Sequence, residues 1–285
     1  TDEDSIGYVM AGALTLDDDL YQDNPYGLNQ DQLGLFYKPG TFQTNYVSVA
    51  TNTGKTNFMT SFENNKQQGV VFQADGYKRN SFRVNVDHRF SDKFKFSTSN
   101  VIIKSTSDQG SMDFFSLMQL QPDMDLYRVN PVDGSDYRLD VDQFGTTENP
   151  LYHMANTSNL NSRNRVLSSY NLNYQPFSWM IIEGTYSLEK QNNYTDYFEE
   201  KGYLSYQTGA VAPTDGYMAK SAYQETAQVF QGTINLNKQF GDFVTKAKIS
   251  YLYESDVWEQ FYTNGRNFGT AHVPQFNNID QSTVT

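Results

Sequence analysis

The connections between strand-like segments constrain this chain most. About eight segments alternate apolar and polar side chains, at 42–51, 56–64, 80–90, 94–104, 163–174, 179–190, 228–238 and 243–254. Alternation at period two marks a strand with one apolar and one polar face. The stretches joining the segments run short, long, short, long, short, long, short. Asn52-Thr53-Gly54-Lys55, Ser91-Asp92-Lys93, Gln175-Pro176-Phe177-Ser178 and Gln239-Phe240-Gly241-Asp242 have tight-turn chemistry, whereas 65–76, 105–162 and 191–222 are long. A soluble sandwich has no reason to gather every long connection at one end. A membrane β-barrel does so, with short turns on its periplasmic side and long loops outside.

The cleanest segment is 80–90, where Phe82, Val84, Val86, His88 and Phe90 fall on one face and Ser81, Arg83, Asn85, Asp87 and Arg89 on the other. In 163–174, Val166, Tyr170, Leu172 and Tyr174 oppose Arg165, Ser169, Asn171 and Asn173; in 228–238, Phe230, Ile234 and Leu236 oppose Thr233, Asn235 and Asn237. The segments run about 10 to 14 residues, closer to a tilted membrane strand than to a soluble strand of about 5 or 6. Tyr77, Phe90, Phe94, Tyr174, Trp179, Phe240 and Phe243 near strand ends suit an interfacial girdle.

Composition removes the competing classes. No apolar run approaches the roughly 20 residues of a spanning helix, and only 38% of the 285 residues are hydrophobic. An aromatic content of 15% argues against disorder. With 33 Asp+Glu against 21 Lys+Arg, the net charge of −12 repels nucleic acid. The absence of Cys excludes thiol catalysis, disulfides and cysteine-bound zinc, and the three histidines, His88, His153 and His272, are too scattered for a metal pair.

Little chemistry beyond binding is written in the chain. Acidic runs at 17–19, 123–125, 133–136 and 140–142 suggest calcium, but Phe144 and Leu151 stand where an EF-hand loop needs ligands. Glu183 and Glu189 alternate on one strand face, as any polar lumen allows, and no nucleophile or phosphate-loop motif appears. The chain reads as a non-enzyme without a cofactor. Within 105–162, residues 111–120 predict a short helix capped by Ser111 and stopped before Pro122. Tyr127, Tyr137, Tyr152, Tyr197, Tyr203 and Tyr206 lie in the long connections. Such rings suit stacking on sugars, contact with peptides, loop packing or a protein interface, and all four readings stand.

Particular runs then carry a resemblance. Phe36-Tyr37-Lys38-Pro39-Gly40-Thr41, Tyr46-Val47-Ser48-Val49, Gly54-Lys55-Thr56-Asn57-Phe58 and Asn65-Lys66-Gln67-Gln68-Gly69-Val70-Val71 resemble the first barrel strands of SusC/RagA-type TonB-dependent transporters. Glu148-Asn149-Pro150-Leu151-Tyr152 is similar to that family's long-loop return, and Phe230-Gln231-Gly232-Thr233-Ile234-Asn235-Leu236-Asn237-Lys238 is the closest match. The resemblance extends from about Tyr37 to Phe268. It implies a 22-stranded barrel with an N-terminal plug, energised through TonB–ExbB–ExbD and lidded by a SusD/RagB-like surface lipoprotein. It also implies import of oligosaccharides or peptides across the outer membrane of a Gram-negative bacterium. At roughly 26 residues per strand, a barrel of that class needs about 570 residues plus the plug, so this chain reads as a piece of something longer.

The expected architecture is therefore all-β: about eight antiparallel strands of a larger transmembrane barrel. Residues 1–41 are expected as the plug-to-barrel junction and first loop, and 42–285 as partial barrel with extracellular loops at 65–76, 105–162, 191–222 and 255–285. The apolar row faces outer-membrane lipid. Arg79, Arg83, Arg89 and Arg165, with Asn171 and Asn173, face inward. The alternatives are a self-closing eight-stranded barrel, which requires interlocking bulky inward residues, and a secreted carbohydrate-binding β-protein. Facing is testable by charge: Val84→Asp or Ile234→Asp should impair outer-membrane assembly, while Asn85→Asp or Asn235→Asp is tolerated. Equal outer-membrane levels of both classes contradict the facing.

Overall fold

The computed structural model describes residues 30–71, 76–108, 149–207 and 210–285, with ten scattered positions between 72 and 148 and the backbone alone at 206–207 and 210–211. A short helix, α1 (Gln32–Phe36), precedes β1 (Thr41–Asn52), β2 (Thr56–Gln68), β3 (Gly76–Ser91) and β4 (Phe94–Asp108). Helix α2 (Pro150–Asn156) leads into β5 (Thr157–Phe177) and β6 (Met180–Glu199). A small hairpin of β7 (Leu204–Gln207) and β8 (Ala210–Pro213) comes next, then β9 (Tyr217–Phe240) and β10 (Phe243–Arg266). Eight strands form one sheet in the order β1-β2-β3-β4-β5-β6-β9-β10, with every neighbouring pair antiparallel. Among the described residues the sheet is an all-β antiparallel meander, with the β7–β8 hairpin inserted between β6 and β9.

All eight expected segments are strands, but several run much further than the alternation suggested. The last four sheet strands have 21, 20, 24 and 24 residues. Residues 157–162, 191–199, 217–222 and 255–266, expected as loop, are ladder, as are 65–68 and 105–108. The physical reason is that a ladder needs only paired backbone N–H and C=O groups. Where both faces of a strand are polar, as along Gln191-Asn192-Asn193-Tyr194-Thr195-Asp196, pairing continues while the apolar signal stops. The tight turns behave as their residues dictate. Gly54 takes a left-handed φ of 80° with its N–H donated to Asn52 Oδ1 at 2.7 Å.

The sheet does not close on itself. Among the described residues β1 pairs only with β2 and β10 only with β9, leaving edges of 12 and 24 residues. The self-closing barrel is therefore not what these strands form. Nor does a second layer cover the apolar face among the described residues: Val49, Ile249 and Tyr251 are each about 60% exposed. At the short-turn end of this face, aromatic rings form a chain. His88 meets Phe90 edge-on at 4.4 Å, Phe90 stacks on Phe94 at 5.1 Å, and Phe94 meets Tyr174 at 6.0 Å. Further along, Phe177 stacks on Trp179, and Lys238 Nζ sits 5.0 Å from the rings of both Trp179 and Phe240. Tyr77 departs from this expected girdle, because the register puts it at the opposite end and on the polar face with Arg79.

The buried core lies at the end of the sheet that carries the long connections. Phe36, Leu126, Leu139, Leu151, Tyr152 and Tyr203 pack together there, tying α1, the 109–148 connection, α2 and the turn before β7 into one cluster. Fully buried Asn149 organises it: its Oδ1 caps α2 by accepting from Leu151 N at 3.0 Å, its Nδ2 donates to Leu126 O at 2.8 Å, and its own N–H donates to Leu139 O at 2.8 Å. A second cluster of Met218, Phe268 and Ile279 folds the 267–285 segment back over the tops of β6, β9 and β10. There Gly216 has φ of 80°, and a Cβ would lie 2.5 Å from the Phe268 ring, so only glycine fits. The helix expected over 111–120 lies outside the described residues, apart from Met118 and Leu120.

Asn149→Ala removes the cap and leaves Leu126 O unpaired, a cost of about 1–3 kcal/mol. Amide exchange of Leu151 should accelerate about tenfold or more, while exchange along the β9–β10 ladder stays unchanged. Unaltered protection of Leu151 contradicts the bracing role of Asn149.

Candidate functional site

The register places Arg79, Arg83, Arg89 and Arg165 on the face opposite the apolar row, with Asn171 and Asn173. There the charges are partnered across strands. Arg79 pairs with Glu63 from β2. Arg165 brings both Nε and Nη2 to Glu189 Oε1 at 2.6 Å. Glu183 accepts from Asn173 at 3.4 Å and from Asn235 at 3.0 Å, so Glu183 and Glu189 serve separate networks rather than a paired site. Arg83 borders a recess with Glu189, and Arg89 ends the row where a bulge separates it from Ser91.

Across β5, β6 and β9 a longer network appears. Arg163 donates to Gln191 Oε1, Gln191 Nε2 donates to Glu225 Oε2 at 2.5 Å, and Tyr223 donates its hydroxyl to the same oxygen at 3.1 Å. The cation at one end and the carboxylate at the other orient the Gln191 amide between them. Sequence reading missed Arg163, Gln191, Glu225 and Tyr223 as a group. The polar alternation of Tyr217, Ala219, Ser221, Tyr223 and Glu225 was the available signal, masked by the lack of apolar residues on the other face.

At the long-connection end of this face, Tyr197, Glu199, Asp215, Tyr217, Arg266 and Asn267 line a cavity of about 550 Å³, between β6, β9, β10 and the β7–β8 hairpin. The Tyr197 and Tyr217 rings lie 5.9 Å apart, and the Arg266 guanidinium sits 5.4 Å over Tyr217. Tyr217 and Tyr262 share a hydroxyl–hydroxyl hydrogen bond of 3.0 Å, which with partial burial pushes Tyr217 up to about 12. Burial, reinforced by the Glu199 charge, also raises Tyr197. Two rings, a guanidinium and two carboxylates in a recess of this size suit a polar oligomer, through stacking and charged hydrogen bonds.

The other tyrosines divide. Tyr137, Tyr152 and Tyr203 are buried in the Asn149 cluster, where Tyr152 stacks on Tyr203 at 5.4 Å and accepts from Leu204 N at 2.8 Å. Their rings are packing, out of a ligand's reach. Tyr127 is partly exposed with its ring 6.3 Å from Tyr137, and Tyr206 lies on β7 with only its backbone described. Among the described residues no three acidic or histidine side chains converge on a metal position. The acidic runs at 17–19, 133–136 and 140–142 lie outside the described residues, Gly134 apart.

Comparison with known proteins follows the same lines. No protein-family model matches the chain. The TonB-dependent receptor P26 of Formosa agariphila is 28% identical over 214 residues, covering 70% of this chain and 21% of that protein. The RagAB peptide transporter structure superposes with a TM-score of 0.74 at 13% identity, covering 91% of this chain and 29% of that one. The RagAB peptide importer in its closed-closed and open-open states gives TM-scores of 0.71 and 0.67 at 14% identity, each over 90% of this chain and 29% of the other. The chain thus resembles SusC/RagA-type TonB-dependent transporters in sequence and shares their fold, while spanning about a fifth of the relative's length. These similar proteins are receptors and transporters, not enzymes.

Because its pKa is raised, Tyr217 keeps its proton above pH 10, and the Tyr217–Tyr262 hydrogen bond weakens only as pH rises through about 12. In the full-length protein Tyr217→Phe should remove one high-pH tyrosine from the spectrophotometric titration. An unchanged curve contradicts the pairing.

Proposed function

We propose that this chain forms part of the wall of a 22-stranded outer-membrane barrel that imports nutrient oligomers, glycan or peptide. A SusD/RagB-like surface lipoprotein captures the cargo, and TonB–ExbB–ExbD drives uptake through a part of the protein outside this chain. One observation carries the reading: an open eight-stranded sheet with an uncovered apolar face, a polar face of cross-strand Arg–Glu pairs, and its long connections at one end. In water the uncovered face is a severe liability, whereas in hydrocarbon it is the required surface. The two long edges are where further strands of the same barrel pair.

On this reading the short turns face the periplasm and the long connections face outward. β1 then runs inward from the outer side, where Phe36 is buried and Tyr37 bridges Val71. On this reading residues 30–40 form the first-loop part of the 1–41 junction and first loop, on the outer side. The Tyr197–Tyr217–Arg266 recess lies on the lumen side at the outer end, where cargo enters. The RagAB likeness supports peptide cargo, and the paired tyrosine rings suit glycan equally.

Native mass spectrometry of the protein extracted from its own outer membrane tests the proposal. The expected result is a polypeptide far heavier than 32.6 kDa carrying a second, acylated chain. A lone species at 32.6 kDa overturns it.

A further inference from the structure

Trp258 stands on the polar face rather than the apolar one. On β10 it lies directly opposite Glu225 of β9, and Glu225 lies opposite Gln191 of β6. Trp258 is 62% exposed. Exposure of a single large residue means little by itself, and its surroundings are what single it out. The Tyr223 ring lies 6.3 Å away and is tilted by only 25° from it. Tyr223 donates its hydroxyl to Glu225 Oε2 at 3.1 Å, which fixes the direction of that ring. Buried Gln191 donates from Nε2 to the same oxygen at 2.5 Å, and Arg163 donates to the Oε1 of the Gln191 amide. Among the described residues both donors to Glu225 reach Oε2, which leaves Oε1 to accept from a ligand. Gln260, opposite Tyr223, and Asp256, two residues from Trp258, put further polar groups on the same face beside the rings.

These parts match a sugar ring. A pyranose presents an apolar C–H face, which packs on an aromatic ring, and hydroxyl groups at its rim, which donate to carboxylate and amide oxygens. An extended peptide is held instead by main-chain pairing at a free strand edge. Strand β9 offers no such edge, because its backbone is paired with β6 on one side and with β10 on the other. Recognition at this place therefore falls to side chains. The rings also continue upward. Tyr262, four residues from Trp258 on the same face, is 54% exposed, and Arg266 with Tyr217 opposite it comes four residues later. Rings thus recur every 13 Å or so, about four residues of strand, from Trp258 to the Tyr197–Tyr217 recess.

We propose that Trp258 and Tyr223, with Glu225 and Gln260, form a saccharide-binding subsite on the lumen wall, about 27 Å along β10 below the recess. The proposal rests on the import reading, because only in a closed barrel does this face line a lumen, and it narrows the cargo to glycan. A sugar ring packs on the Trp258–Tyr223 platform while its hydroxyls donate to Glu225 Oε1 and exchange hydrogen bonds with the Gln260 amide. The Arg163–Gln191 pair holds the carboxylate in place, so the acceptor is oriented before the sugar arrives. An oligosaccharide leaving the recess meets Tyr262 and then this platform, with a ring to stack on at each level.

The test uses full-length protein in detergent and native mass spectrometry. The probes are an equimolar mixture of maltohexaose, cellohexaose, laminarihexaose, mannohexaose and xylohexaose, set against a tryptic digest of casein. Wild-type protein should retain a hexasaccharide in preference to the peptides. Trp258→Ala should weaken that retention by about tenfold or more, whereas Trp258→Phe keeps a ring and loses much less. Glu225→Gln sets an amide against the Gln191 donor and should weaken retention as well, while Trp179→Phe at the girdle leaves it unchanged. Retention of peptides alone, retention of neither class, or a Trp258→Ala variant that binds like wild type overturns the proposal. Outer-membrane fractionation separates the two readings: protein absent from that membrane sinks the barrel proposal, whereas protein present there without Trp258-dependent saccharide retention sinks only this one.

Discussion

The backbone ladder running from β1 to β10 is the interaction on which everything else depends. In hydrocarbon an unpaired N–H or C=O costs several kcal/mol, so a wall in lipid must pair each strand with both neighbours. Antiparallel pairing at period two then fixes which side chains share the apolar face and which the polar one. Phe82, Val84 and Val86 point one way because Arg83, Asn85 and Asp87 point the other, and the register carries that choice across all eight strands. A slip of one residue between two strands would exchange the faces. The cross-strand partners Arg79–Glu63 and Arg165–Glu189 reinforce the register from the polar side.

The two ends of the sheet are finished differently. At the short-turn end, rings and one lysine suffice: Phe90 on Phe94, Phe177 on Trp179, Lys238 between Trp179 and Phe240. At the other end the strands outrun the apolar band and the chain builds conventional cores. Asn149 ties α2 to the 109–148 connection, and Phe268 closes the 267–285 segment over Gly216. The recess around Tyr197, Tyr217 and Arg266 sits beside these braced connections, so its rings are presented by strand ends.

Strand positions were legible in the sequence wherever one face is apolar, because an apolar face imposes alternation at period two. Beyond Leu188 and Phe230 that demand lapses, and the strands continue as polar ladder that reads like loop. The same lapse hid the Arg163–Gln191–Glu225 network, whose members come from three strands and meet only through the extended register. The tyrosines were legible as abundant but not as sorted. Nothing local distinguishes Tyr152, locked by Tyr203 and Leu204, from Tyr197, which lines a recess. That distinction comes from tertiary contacts between residues some 50 positions apart.

The absence of cysteine in this chain makes a direct test of facing practical. Single cysteines at Val84, Asn85, Val86, Ile234 and Asn235 of the full-length protein, spin-labelled and reconstituted in bilayers, report contact with lipid through collisions with oxygen. Accessibility to oxygen should be high at 84, 86 and 234 and low at 85 and 235, with a polar relaxation agent showing the reverse. Labels equally accessible to the polar agent at both sets of positions would contradict a lipid-facing apolar row, and with it the barrel account.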